Sequence, residues 1–218
     1  MVNTTPARNT KVYNLREQFG LTRSLEPATF AEWQAPLPLL SDMERTTVDR
    51  IQRNYLYLLE HPVLESIVKM VVLSPLLDLA GFYNAPFKVT GELAVQVTAQ
   101  DGAETIQGNI DVLVLHRTLW VTVIEAKNSE LSLTKAIPQC LAYMLASPNT
   151  TQPTFGAVTN GSEFIFLKLF PNQPPFYALS NTFSLLNQGN DYYQVLQIFK
   201  QLGGLFKDSE PKLENKTE

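Results

Sequence analysis

Two neighbouring apolar segments, each carrying charge at a single place, constrain the fold of this chain more than any other feature. Residues 110–115 contain Asp111 as their one charged residue, and residues 119–127 are almost wholly apolar until Glu125. Near-continuous apolar runs of this length are typical of central strands that are covered on both faces. The sequence therefore predicts two adjacent strands inside a sheet, with an α/β fold around them.

The charged residues of these two strands are expected to meet. A short turn at residues 116–118 joins the strands, so we expect them to pair antiparallel. Counting from that turn puts Asp111 and Glu125 near each other, offset by at most one pair. Strand alternation puts Lys127 on the same face as Glu125, about 6.6 Å along the strand. Because a buried charge without a partner is unfavourable, these three residues predict one cluster.

A cluster of Asp111 and Glu125 has the composition of a divalent-metal site. Two carboxylates in one place repel each other unless a cation lies between them. Carboxylate oxygens and a backbone carbonyl, such as that of Ala126, are ligands that suit Mg²⁺ or Mn²⁺. Lys127 would then position or polarise an attacking water and offset charge on a phosphate. A structural ion pair at a sheet edge is the alternative interpretation of the same residues.

The pattern of helices, strands and breaks divides the 218 residues into three parts. Residues 1–40 contain four prolines and predict an irregular N-terminal arm with short helices, residues 41–206 predict the α/β domain, and residues 207–218 predict a mobile charged tail. The expected elements of the domain are helices at 41–59, from 63 towards 81, at 134–147 and at 191–205, and strands at 87–97, 105–115, 119–127, 155–159 and 164–170, with a hairpin turn at 100–104.

A few residues are expected to shape or end these elements. Ser41 begins a capping-box pattern at the start of the first long helix. Pro75 is expected to kink or restart the second helix, and Gly81 and Gly203 are expected to cap helix ends. Residues 160–161, Asn-Gly, predict a hairpin with a primed turn.

Four segments, in order along the chain, resemble a known family. Residues 108–111 (Gly-Asn-Ile-Asp) followed by residues 125–127 (Glu-Ala-Lys) resemble the Asp…(Asp/Glu)-x-Lys signature of the PD-(D/E)xK nuclease superfamily. Residues 139–143 are similar to the Gln-x-x-x-Tyr motif in the nuclease domain of type I restriction enzyme R subunits. Glu65 with residues 74–82 is similar to the opening helix of that domain. The position before the aspartate is isoleucine, where the superfamily signature has proline.

That resemblance implies a restriction-endonuclease-like core over residues 41–206, in which helices flank a mixed central sheet. It implies Mg²⁺ (or Mn²⁺) as cofactor and a role for each matched residue: Asp111, Glu125 and the Ala126 carbonyl as metal ligands, Glu65 as an auxiliary acid, Lys127 as the catalytic lysine, and Gln139 and Tyr143 as residues that support the site or contact DNA.

Several of these residues have simpler alternatives. Gln139 and Tyr143 share one face of a helix, and they are equally typical of the polar rim of an amphipathic helix. Glu65 fits a solvated residue near a helix N-terminus, where negative charge is favourable. Glu92 competes with Glu65 as the auxiliary acid.

The function implied by the resemblance is Mg²⁺-dependent hydrolysis of DNA phosphodiester bonds. The alternative is a catalytically silent nuclease-fold module that binds nucleic acid or a protein partner, which the formal net charge of −4 and the lack of a Gly-x-x-x-x-Gly-Lys phosphate loop favour. The candidate partners are DNA, a separate translocase or specificity subunit, and a second copy of the chain. A cytoplasmic location is expected, since Cys140 is the one cysteine and no apolar stretch reaches membrane-spanning length.

Overall fold

An eight-stranded mixed sheet runs through the computed structural model, which describes residues 3–98, 104–117 and 119–207. The strands are β1 (Asn3–Pro6), β2 (Thr22–Arg23), β3 (Phe87–Thr98), β4 (Glu104–His116), β5 (Leu119–Ala126), β6 (Thr154–Thr159), β7 (Glu163–Phe170) and β8 (Phe176–Ser184). Their order is β1-β4-β5-β6-β7-β8-β2, and β3 also pairs with β4. The predicted mixed central sheet flanked by helices is confirmed.

Helices α1 to α6 and several shorter turns surround the sheet. They are α1 (Val12–Phe19), α2 (Asp42–Leu58), α3 (Glu65–Val68), a π turn (Lys69–Leu73), α4 (Ser74–Leu79), α5 (Ile137–Leu145), α6 (Tyr192–Lys207), and 3-10 turns at Ala7–Asn9, Pro27–Trp33 and Leu133–Lys135. None of the helices in the described residues combines the length and apolar character that crossing a bilayer requires.

Two hydrophobic cores pack against the sheet. One contains Tyr55, Leu76 and Phe199 from α2, α4 and α6, together with Ile124 of β5. The other contains residues of α1 and α5 together with Val123 of β5. Because successive residues of a strand point to opposite faces, β5 contributes to both cores and is covered on both sides. Its near-continuous apolar run is explained by this position.

Among the described strands β4 is the longest, and its partners change along its length. β3 pairs with it antiparallel from Phe87↔His116 to Thr98↔Thr105. Along the opposite edge of β4, β1 pairs as far as Gln107, and β5 begins to pair at Val112. The edge of β4 between these two partners therefore contains residues 108–111, the segment that ends in the aspartate.

The predicted start and end of the helical region before the sheet are confirmed. The Ser41 side chain accepts a hydrogen bond from the Glu44 N–H, and the Glu44 side chain accepts one from the Ser41 N–H, which is a capping box. Gly81 has a φ of 84°, and Phe82 N–H donates to the Leu77 carbonyl just after α4. This is the left-handed helix end that glycine favours.

The helix restarts at Pro75 as expected, because α4 begins at Ser74 and has the proline in its first turn. A π turn precedes it, in which the Ser74 N–H donates to the Lys69 carbonyl five residues earlier. Proline has no N–H for the carbonyl four residues before it, and the widened turn accommodates this loss between α3 and α4. Lys69 is the first residue of that turn.

The structure differs from the predicted elements at three further places. The segment predicted as an irregular arm contributes β1 and β2 to the sheet, and β8 was missing from the predicted order. Gly203 does not end a helix, because α6 continues to Lys207. A Cβ at Gly203 would lie 3.1 Å from a ring carbon of Phe82, so this glycine permits close packing of α6.

Two predicted turns and the predicted tail lie wholly or partly outside the described residues. The turns are predicted at 100–104 and 116–118 and the tail at 207–218, and of these positions 100–103, 118 and 208–218 are not described. The predicted hairpin at Asn160-Gly161 is confirmed, with Thr159 facing Phe164. Its loop spans residues 160–162 and is longer than the predicted two-residue turn.

Gly161 provides a test of this packing. Its φ is 85°, and a Cβ would lie 2.2 Å from the Tyr55 ring; Gly189 has a φ of 93° and nothing within 4 Å of a Cβ. We expect Gly189→Ala to lower the free energy of unfolding by about 1 kcal/mol, the effect of the left-handed backbone alone. Gly161→Ala should lower it by about 2 kcal/mol more, because the ring must also move. Urea unfolding measures both, and equal losses would contradict the predicted clash.

Candidate metal centre where strands β4 and β5 separate

The antiparallel pairing of β4 and β5 brings Asp111 and Glu125 together. The last pair in register is Val112↔Ile124, so the next facing positions are those of Asp111 and Glu125. At this point the Asp111 side chain replaces the backbone as acceptor, because the Ala126 N–H donates to Asp111 Oδ2 at 2.8 Å. The carboxylate is thereby fixed at the place where the two strands separate.

Glu125 is a buried acid with only one of its oxygens paired. Its side chain is 1% exposed, and Oε1 accepts a hydrogen bond from the Lys127 ammonium. Among the described residues, Oε2 has no hydrogen-bond partner. Burial, together with the neighbouring Asp111 carboxylate, raises the pKa of Glu125 to about 8 against the opposing attraction of Lys127. Both conditions favour a cation beside Oε2.

Lys69 is a second cation of the site, and sequence reasoning missed it. Its ammonium lies 3.1 Å from Asp111 Oδ1 and 3.3 Å from Glu65 Oε1. The spacing of Glu65 and Lys69 on a helix is a signal for their pairing, since residues four apart are neighbours. Nothing in the sequence pattern indicates that this helix face meets β4.

Glu65 and Glu92, the two candidate auxiliary acids, both lie at the cluster. Gly91 faces Val112 and Leu93 faces Ile110, so Glu92 lies opposite the Asp111 position of β4. Glu92 Oε1 is 3.3 Å from Lys69 Nζ. The φ of Glu92 is 51°, a backbone conformation that is strained for residues other than glycine. Glu65 Oε2 is 3.9 Å from Lys127 Nζ. The geometry brings both acids to the cluster and does not choose between them.

Gln139 and Tyr143 lie on α5, beside the cluster. The Gln139 amide donates to the Tyr143 hydroxyl at 2.9 Å, and both residues are buried. A Cβ at Gly108 would lie 2.6 Å from the same hydroxyl, so the tyrosine packs onto the segment of β4 that ends in Asp111. Burial raises the pKa of Tyr143 to about 12, and the Glu125 and Asp111 carboxylates add to the effect. The two side chains support the backbone next to the acids, and their functional roles stay predictions.

The donor set fits a hard divalent cation. Within the described residues, no three His, Cys, Asp or Glu side chains are disposed to hold a metal, so an ion here would depend on two carboxylates, backbone and water. The orphaned Oε2 of Glu125 would supply one oxygen, and Asp111 would supply another. The Ala126 N–H points towards Asp111, and a strand residue directs its carbonyl to the same edge. Oxygen ligands of this kind are those that Mg²⁺ and Mn²⁺ prefer.

A family model described as the type I restriction enzyme R protein N terminus matches residues 3–174. The chain belongs to this family. The match covers the arm, the sheet as far as β7 and α5, and so includes every residue of the cluster. The predicted resemblance to the N-terminal domain of type I restriction enzyme R subunits is therefore confirmed.

One solved structure similar to this member of the R-protein family is a fragment of a putative HsdR subunit of a type I restriction enzyme from Vibrio vulnificus YJ016. The two chains are 21% identical, with a TM-score of 0.39. The match covers 66% of this chain and 26% of that chain, so it spans about a quarter of the larger protein. A search of curated protein sequences gives no match.

The buried Glu125 carboxylate generates a pH-dependent stability that can be measured. The pKa of Glu125 in the folded protein lies above its ordinary value of 4.5. Its contribution to the free energy of unfolding is therefore fully present below pH 4.5 and is lost as the pH rises through about 8. With a chelator present, we compare the free energy of unfolding of Glu125→Gln with that of the unchanged protein. We expect the difference to grow in favour of the variant by on the order of 3 kcal/mol between pH 5 and pH 9. Urea unfolding at several pH values tests this. Glu26→Gln, at an exposed position, is the matched control and should follow the unchanged protein.

Proposed function

We propose that this chain hydrolyses phosphodiester bonds of DNA in the presence of Mg²⁺ or Mn²⁺, at the cluster of Asp111, Glu125 and Lys127. The observation that carries the proposal is the buried Glu125 carboxylate, which faces Asp111 and has one oxygen on Lys127 and the other without a partner among the described residues. Membership of the R-protein family of type I restriction enzymes supports the same reaction class.

The charge of the cluster calls for a divalent cation. Glu65, Glu92, Asp111 and Glu125 bring four negative charges when ionised, and Lys69 and Lys127 return two positive charges. The remaining charge of −2 is neutralised by one divalent ion. When bound, Mg²⁺ supplies Lewis-acid activation of water and stabilisation of charge on the phosphate oxygens.

Lys127 is the cation that faces the reacting groups. It follows β5 directly, its N–H donates to the Thr159 carbonyl, and its ammonium is held by Glu125 with Glu65 at 3.9 Å. An ammonium in this position can orient a water by hydrogen bonding and offset negative charge as it develops on a phosphate. Glu65, at 3.9 Å, helps to keep the Lys127 ammonium directed into the cluster.

DNA is the proposed substrate, and other subunits of a restriction system are the proposed protein partners, because the chain belongs to a family named for one subunit of such enzymes. A second candidate function is a nuclease-fold module that binds nucleic acid or a partner without hydrolysis. The observation in its favour is that Asp111 and Glu125 each already have a lysine partner, as in a structural ion-pair network.

Nicking of supercoiled plasmid tests the hydrolytic proposal. With Mg²⁺ or Mn²⁺, we expect the unchanged protein to nick DNA and Lys127→Ala to lose at least about a hundredfold in rate, the scale of removing one preorganised charge. Lys88→Ala removes a lysine at an exposed position of β3 and is the control, which should keep full activity.

Calorimetry with Mn²⁺ accompanies this assay. Binding that Asp111→Asn abolishes, combined with nicking that depends on Lys127, is the expected outcome. Equal nicking by the unchanged protein and Lys127→Ala would refute the assignment of Lys127, and absence of both metal binding and nicking would favour the silent module.

A further inference from the structure

Lys69 is the part of the charge cluster that the proposed hydrolysis leaves without a role. Its ammonium contacts Asp111, Glu65 and Glu92 at 3.1 to 3.3 Å, so three carboxylates surround one cation. The side chain therefore brings a positive charge to Asp111 at neutral pH, since lysine is ordinarily protonated there.

Each oxygen of Asp111 already has one partner while Lys69 is in this position, and a positive charge lies beside Oδ1. Its Oδ2 accepts the Ala126 N–H at 2.8 Å, and its Oδ1 lies 3.1 Å from Lys69 Nζ. The Asp111 side chain is only 10% exposed, so solvent offers little additional space around it. An ion that bridges Asp111 and Glu125 would meet the Lys69 ammonium at Oδ1.

We propose that Lys69 is a built-in competitor of the metal: it neutralises Asp111 in the metal-free protein and has to release Asp111 for the divalent ion to bind. The inference rests on the proposed function, because it concerns the same pair of carboxylates. It gives Lys69 a positioning role that differs from the role of Lys127.

Glu65 and Glu92 make this release easy. Both lie 3.3 Å from the ammonium, so Lys69 would keep two of its three partners on losing the contact with Asp111. The lysine side chain has several rotatable bonds, and its ammonium can move without displacing the π turn that carries it. Glu92 reaches this place through a left-handed backbone at φ 51°, which puts its carboxylate on the Lys69 side of β3.

The surroundings of Lys69 disfavour a role in binding phosphate directly. An anion approaching Lys69 would meet Glu65, Glu92 and Asp111 at the same time, and like charges repel at short range. Lys127 has one close carboxylate partner and a second at 3.9 Å. The two lysines therefore have different roles in this proposal. Lys127 faces the phosphate, and Lys69 pairs with Asp111, the metal ligand.

Calorimetric titration of Mn²⁺ into the metal-free protein tests the inference. We expect Lys69→Met, which keeps the length of the side chain and removes its charge, to lower the Kd for Mn²⁺ roughly tenfold, the scale of one partly buried ion pair. The gain should persist at high salt, because a direct contact is screened less than a distant charge. Lys88→Met removes an equal charge from an exposed position and should change the Kd little.

Thermal unfolding supplies a second readout that is independent of activity. Without metal, Lys69→Met should melt at a lower temperature than the unchanged protein, because its carboxylates lose a counter-charge. Saturating Mn²⁺ should raise the melting temperature of Lys69→Met more than that of the unchanged protein. A merely structural lysine would lower the melting temperature and leave the Kd unaltered.

The outcomes separate this inference from the proposed function. If the unchanged protein binds Mn²⁺, Asp111→Asn abolishes that binding, and Lys69→Met binds no more tightly, the competitor role is overturned and the proposed function stands. If neither protein binds Mn²⁺, both are overturned. Lys69→Gln is a second, polar variant with the same expected gain, for use where the methionine variant does not fold.

Discussion

The hydrogen bond from the Ala126 N–H to Asp111 Oδ2 is the interaction on which the rest of the site depends. Strands β4 and β5 stop exchanging backbone hydrogen bonds after Val112↔Ile124, and a side-chain carboxylate takes over as acceptor. A donor buried between strands would be costly without a partner, so the aspartate is held in place by the needs of the backbone. Because Glu125 faces this position, the same hydrogen bond fixes the separation of the two acids.

The cluster holds more acidic than basic side chains inside a well-packed fold. Apolar cores on both faces of β5 bury the Glu125 side chain, and burial of a carboxylate is tolerated only when positive charge or a proton accompanies it. Lys69 and Lys127 approach from a helix and from the end of β5, and together they compensate half of the negative charge. The same arrangement that makes Glu125 hard to ionise alone favours a divalent cation beside it, as the proposed function requires.

The sequence predicted the part of the site that depends on local pattern. A short turn and a two-residue alternation are enough to place Asp111 beside Glu125, and the capping box and Gly81 mark the helix ends in the same local way. Lys69 and the strand β8 escaped prediction because they depend on tertiary packing: the first on how a helix docks against β4, the second on pairing with β7 rather than on its own apolar pattern. Gly203 was misjudged for the same reason, since the close approach of Phe82 is invisible in the sequence.

The central claim is that Asp111 and Glu125 share one divalent ion, and a crystal structure of the protein soaked in Mn²⁺ tests it most directly. Anomalous scattering locates manganese without assumptions about its ligands. The account predicts a single peak between the two carboxylates, with the Lys69 ammonium moved from Asp111 towards Glu65 and Glu92. A map without a peak at this place, in which Asp111 and Glu125 keep their lysine partners, would contradict it.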